Sequence, residues 1–193
     1  MTSVAAEATR RHLSARQAAV VDRLLAAAGD EVRAAGYEGI SVRSVARRAG
    51  VAPATAYTYF SSKDHLLAEV LWRRLCDVPP PEFGPGQTRV ERVCTVLRDT
   101  GLFMADDPGV AVAGTAALLG SGPEVMHLRD RMGADMHHRL RLALGEGADP
   151  DVLSALELAW AGAMLTAGMG HLSFTEVPDR LAVVARLILG AGQ

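Results

Sequence analysis

The chain has 193 residues, of which 49% are hydrophobic and 22% charged, with a formal net charge of −2. That supplies core for one or two small domains and excludes a disordered tail or a large multidomain enzyme. Cys76 and Cys94 are too few for a disulfide framework and lack metal-ligand spacing, and the opening MTSVAAEATRRHLSARQ has no apolar signal core, so a cytoplasmic protein is expected.

Strand signals are scarce, since aromatic residues are 5% and no Asn-Gly or Asp-Gly pair marks a hairpin. Helical periodicity takes their place. Val21, Leu24, Leu25, Ala28, Val32 and Ala35 form one apolar stripe and predict a first helix over about Ala15 to Ala35, stopped by Gly36. Tyr37 to Ile40 reads as a connection, and Ser41 as the N-cap of a second helix, Val42 to Ala49. Gly50 makes a turn, and Pro53 suits the first position of a third helix that runs to Phe60. Two short helices joined by a glycine-containing turn describe a helix-turn-helix.

Ser61 or Ser62 can cap a fourth helix through Leu75, after which DVPPPEFGPGQT, residues 77–88, cannot be helical. Further helices are expected near Thr88–Ala105, Pro108–Leu119, Pro123–Leu144, Pro150–Ser173 and Val177–Leu189. The fold expected is all-α with about nine helices, divided into a helix-turn-helix domain over 1–61 and a helical domain over 62–193. Leu158 to Thr175 carries no formal charge, but its small residues fit a closely packed helix better than a membrane span.

Charge is distributed unevenly. Residues 1–75 carry eleven basic and seven acidic side chains, whereas 76–193 carry nine and fifteen. A basic front end on an acidic body points to a polyanion met by the front end alone. Residues 41–63, SVRSVARRAGVAPATAYTYFSSK, suit that task. Val45, Ala46 and Ala49 can pack inward, Val51 plugs the angle between the helices, and Arg43, Pro53, Ala54, Thr55, Thr58 and Tyr59 are left to face outward. The short side chains of Pro53-Ala54-Thr55 let the backbone approach base edges in a major groove. Phe60 reads as core and Tyr57 as either core or contact. Arg47 and Arg48 read as a solvated face, and Arg10, Arg11 and Arg16 as a basic arm or a solvated tail.

This segment resembles the TetR family of bacterial transcriptional repressors. The resemblance spans about residues 15–75 and rests on Ala46, Gly50 and Val51, then Thr55, Tyr57, Tyr59-Phe60 and Ser62-Lys63, behind an amphipathic helix. It implies that Arg43 contacts a base or phosphate, that Pro53, Ala54 and Thr55 enter the groove, and that Tyr57, Tyr59 and Lys63 contact phosphates. Ala52 departs from the family pattern, which has a capping Ser or Thr there. The resemblance also implies a homodimer through the last two helices, a palindromic operator, and a ligand that shifts the fourth helix to change the spacing of two recognition helices.

No catalytic motif stands out: there is no G-x-S-x-G, phosphate-cradling glycine loop or H-E-x-x-H, so no enzyme activity, cofactor or metal is expected. His127, Asp130, His137 and His138 share one helix but span too many turns to meet on one ion. Phe103, Met104, Trp160, Met164 and Phe174 offer adaptable apolar bulk for a hydrophobic effector, or simply core. His171 reads as a core histidine or a polar handle in such a pocket. Ala159, Ala163 and Ala167 with Gly162 and Thr166, and the stripe Leu181, Val184, Leu187 and Ile188, offer helix-packing surfaces. The reading is a ligand-released repressor. The alternatives are a ligand-independent dimeric DNA-binding regulator and an all-α enzyme or hydrophobic-ligand carrier.

Overall fold

The computed structural model describes residues 14–190, which hold nine α-helices and no strand. The first helix, α1, runs Ala15–Gly39 behind a capping box in which Ser14 and Gln17 exchange backbone and side-chain hydrogen bonds. Gly36 interrupts it at φ 68°, ψ 179°, a conformation that a Cβ would strain. The predicted stop is therefore a break in direction, and residues 37–39 add a helical turn where a plain connection was expected. Val21, Leu24, Ala28 and Val32 are buried as the stripe requires, while Leu25 is half-buried and Ala35 exposed.

Helix α2, Val42–Arg48, starts from a Ser41–Ser44 capping box. The amide of Val51 bonds the Ala46 carbonyl across the Gly50 turn, and α3, Pro53–Tyr59, follows with Ala52 at an N-cap that has no side-chain bond. Ser62, the second of the two expected caps, accepts from the His65 amide and opens α4, Lys63–Asp77. Then come α5, Arg89–Gly101, capped by Thr88; α6, Pro108–Leu118; α7, Pro123–Leu144; α8, Pro150–Gly168, capped by Asp149; and α9, Val177–Gly190.

The chain divides into two compact units, cut differently from the expected 1–61 and 62–193. One holds residues up to Asp77 together with Gly109–Arg129, and the other holds Val78–Pro108 with the residues from Asp130 onward. By contact, α4 goes with the helix-turn-helix, because Leu66, Leu67, Leu71 and Leu75 bury into the same core as Leu24, Ala28 and Val45. In that unit α6 lies so close to α4 that a Cβ on Gly114 would collide with the Leu71 side chain.

In the second unit α9 packs on α5 and α8, and the core contains Leu97, Met104, Met136, Leu140, Leu156 and Leu181. The proline-rich segment after α4 is non-helical, as its composition demands, with a turn at Pro85-Gly86, and one buried cation holds its start. Arg139 donates to the carbonyls of Val78 (2.8 Å) and Pro79 (2.7 Å) while pairing with Asp135 (2.6 Å).

Two predicted helices end early. Helix α5 stops at Gly101 and leaves Phe103 and Met104 in a turn, and α8 stops at Gly168, so His171 sits exposed in the turn beyond it. His171 is therefore neither a core histidine nor buried in a pocket.

Candidate nucleic-acid interface

Among the residues of α3 only Ala56 is buried. A seven-residue helix held by one methyl group presents nearly its whole surface outward. Pro53, Ala54 and Thr55 are exposed at its N-terminal end, where the side chains are small, the first turn has no side-chain cap and the Thr55 amide bonds back to the Ala52 carbonyl at 2.9 Å. Tyr57 is 52% exposed, Tyr59 half-buried and Phe60 buried at 3%, so Phe60 is core and Tyr57 is not. Thr58 is exposed, but its hydroxyl turns back to donate to the carbonyls of Ala54 (3.2 Å) and Thr55 (2.7 Å).

On α2, Arg43 and Arg47 are exposed one turn apart. Arg48 is exposed too, as expected, and its guanidinium also reaches Glu31 of α1 at 2.5 Å. Its hydrogen bond holds the Glu31 carboxyl below the ordinary value of 4.5, against the opposing effect of burial. Arg16 is exposed in the first turn of α1, and Arg10 and Arg11 lie outside the described residues.

Lys63 opens α4 with its ammonium on Tyr37: Nζ donates to the Tyr37 carbonyl at 2.9 Å and lies 4.0 Å from the ring centroid. The Tyr37 hydroxyl donates to Asp64 Oδ1 at 2.7 Å. Burial, the bond to Asp64 and that carboxylate's charge push the phenol up to about 12. Sequence reading left Tyr37 in a connection, since its partners are 26 and 27 positions away and no local pattern joins them.

The expected effector residues differ in burial. Met104 and Phe174 are core side chains, 0% and 4% exposed, and Phe103 and Met164 are half-buried. Trp160 alone of the six lines a groove of about 500 Å³ between α7 and α8, with Met136 and Ala161 beside it. His137 Nδ1 and Glu157 Oε1 meet at 2.8 Å on its rim. Among the described residues no cluster of His, Cys, Asp or Glu is placed to hold a metal ion, and no helix is long and apolar enough to cross a membrane.

A three-helix head that offers an almost unburied third helix, with cations flanking it on α2 and α4, has the build of a helix-turn-helix DNA-binding regulator. Residues 24–70 match the sequence pattern described as bacterial regulatory proteins, tetR family. The chain is 46% identical over 186 residues to the uncharacterized HTH-type transcriptional regulator Mb0790c of Mycobacterium bovis, covering 95% of this chain and 86% of that one. It is 29% identical to the HTH-type transcriptional repressor KstR of Rhodococcus jostii over 92% of this chain and 84% of the relative. Among solved structures, a TetR transcriptional regulator from Rhodococcus sp. RHA1 superposes with a TM-score of 0.73 at 23% identity, covering 92% of this chain and 98% of that one. The regulator FadR of Bacillus subtilis, in complex with stearoyl-CoA, gives 0.58 at 17% identity over 84% and 96%. The chain belongs to the TetR family and is a DNA-binding transcriptional regulator.

Proposed function

We propose that the protein is a homodimeric repressor that binds a palindromic operator and leaves it when a small hydrophobic effector binds. The observation that carries the reading is the presentation of α3, whose only buried residue is Ala56. Pro53, Ala54 and Thr55 face base edges, Arg43 contacts a base or phosphate, and Tyr57, Tyr59 and Lys63 contact phosphates, with Thr58 supporting the helix from within. DNA reading belongs to residues 1–61, and effector binding and dimerisation to 62–193. The repressor KstR of Rhodococcus jostii, a relative over most of the chain, supports repression as the output.

For the dimer, α8, its C-cap Met169 and α9 carry exposed apolar side chains that a second copy would cover: Leu158 at 72%, Met169 at 58%, Val183 at 50% and Leu187 at 69%. For the effector, the groove beside Trp160 offers an apolar floor with a His–Glu rim, and FadR of Bacillus subtilis is a neighbour in fold that holds stearoyl-CoA. Release requires the effector to bind the DNA-incompetent arrangement more tightly than the competent one.

The burial of Met104 and Phe174 favours a second reading, a dimeric regulator that needs no ligand. Gel retardation on the DNA flanking the gene, with stearoyl-CoA, free fatty acids and aromatic compounds added in turn, separates the two. Release of a specific complex by one class supports the first reading, and a specific complex that none of them disturbs supports the second. Equal affinity for scrambled duplex at all salt concentrations sinks both.

A further inference from the structure

We propose that Tyr37 is a positioning residue for DNA binding: it holds the Lys63 ammonium on neutral groups and keeps the neighbouring Asp64 carboxylate off it. The proposal rests on the reading of Lys63 as a phosphate contact. Lys63 and Asp64 are adjacent in the first turn of α4, and a long basic side chain can reach such a neighbour, as Arg98 reaches Asp99 at 3.2 Å on α5. They do not pair here. Lys63 Nζ goes to the Tyr37 carbonyl and the face of its ring, and Asp64 Oδ1 takes the phenolic hydrogen of the same residue.

The opposite side of Asp64 is closed as well, because a Cβ built on Gly120, in the α6–α7 connection of the same unit, would sit 3.2 Å from Asp64 Oδ2. The carboxylate is thus enclosed between a phenol and a backbone turn. The break at Gly36 makes this arrangement possible, since its positive φ re-aims the last turn of α1 and sets the Tyr37 ring against α4.

The chemical consequence concerns charge and order. A lysine held by a carbonyl dipole and a π face keeps its full positive charge, whereas one paired with a carboxylate presents a neutralised pair to an incoming phosphate. Its long side chain is also restrained before DNA arrives, so less rotamer freedom is lost on binding.

Removing only the phenolic oxygen, by Tyr37→Phe, leaves the ring and the carbonyl in place and releases Asp64. Affinity for operator and scrambled duplex then falls by the same factor, roughly 3- to 10-fold, and the dependence of log K on log salt loses about one phosphate's worth of slope. Tyr37→Phe/Asp64→Asn restores the slope, because an amide cannot neutralise the ammonium. In a Lys63→Ala background Tyr37→Phe has no further effect on either quantity.

The wild type and these four variants, compared by fluorescence anisotropy over a salt series with thermal midpoints measured alongside, decide the matter. Loss of affinity in Tyr37→Phe at unchanged slope, or an undiminished effect in the Lys63→Ala background, overturns the proposal and leaves Tyr37 as packing. Should Lys63→Ala itself leave the slope untouched, the phosphate reading of Lys63 falls and the proposal falls with it.

Discussion

Arg48 Nε lies 2.5 Å from Glu31 Oε2, and this pair ties α2 to α1 across 17 positions of sequence. Glu31 is only 8% exposed, so a carboxylate without that guanidinium would be costly to keep there. Because its folded value is depressed, the pair contributes stability above the unfolded carboxyl value, near 4.5, and loses it as pH falls through the folded value. Glu31→Gln should therefore lower the urea midpoint at pH 7, with wild type and variant converging in acid. A gap that does not narrow as the pH is lowered into acid would count against the linkage.

The residues of the reading head separate by what they touch. Tyr59→Phe should weaken binding to operator and scrambled duplex alike, since phosphates carry no sequence, whereas Thr55→Val should erode discrimination by about 1–3 kcal/mol. Arg43→Ala joins the second group if Arg43 meets a base. Competition binding with both duplexes measures the split, and an equal loss for Arg43→Ala reassigns that residue to phosphate.

Arg139 makes three charge-assisted contacts from a position 6% exposed. Arg139→Met keeps the length of the stem but strands the Val78 and Pro79 carbonyls and Asp135. The cost should be about 2–4 kcal/mol in chemical denaturation, accompanied by faster protease cleavage within residues 78–88. Unchanged cleavage there would mean that the prolines, rather than Arg139, keep the segment in place.

Gly162 tests the dimer. A Cβ at Gly162 meets nothing within 4 Å in the chain itself, so Gly162→Leu is tolerated by the protomer and, by helix propensity, mildly stabilising. If α8 is approached closely by its counterpart, the same substitution should weaken self-association about tenfold or more, read by sedimentation equilibrium, because overpacking costs about 1–3 kcal/mol. An unaltered dimer places the interface elsewhere.

Helix starts were legible because their chemistry is local. Ser41 and Pro53 open α2 and α3 as expected, and Pro108, Pro123 and Pro150 each stand at the first position of a helix. Helix ends were less so. Met104 and Phe174 continue an apolar pattern but enter the core from turns, and periodicity cannot tell a buried turn residue from a buried helical one. Most of the outward set on α2 and α3 was readable from residue size and spacing, but Tyr59, expected to face outward, is half-buried. The clamp around Tyr37 and the grip of Arg139 were not, because each joins positions 26 to 61 apart through polar side chains that look solvated in a linear reading.

The slight attachment of α3 has a consequence for how such a protein diversifies. If α3 reads the operator as proposed, fold stability and DNA address fall in almost separate sets of positions, since only Ala56 of that helix is buried. Under that reading, exchanges at Ala54 and Thr55, the base-facing positions clear of the helix start, would retarget the protein with little risk of unfolding it, because surface substitutions away from caps and buried partners usually cost within about 0.5 kcal/mol. A duplicated copy of the gene can thus acquire a new operator in a few steps while every core residue stays as it is.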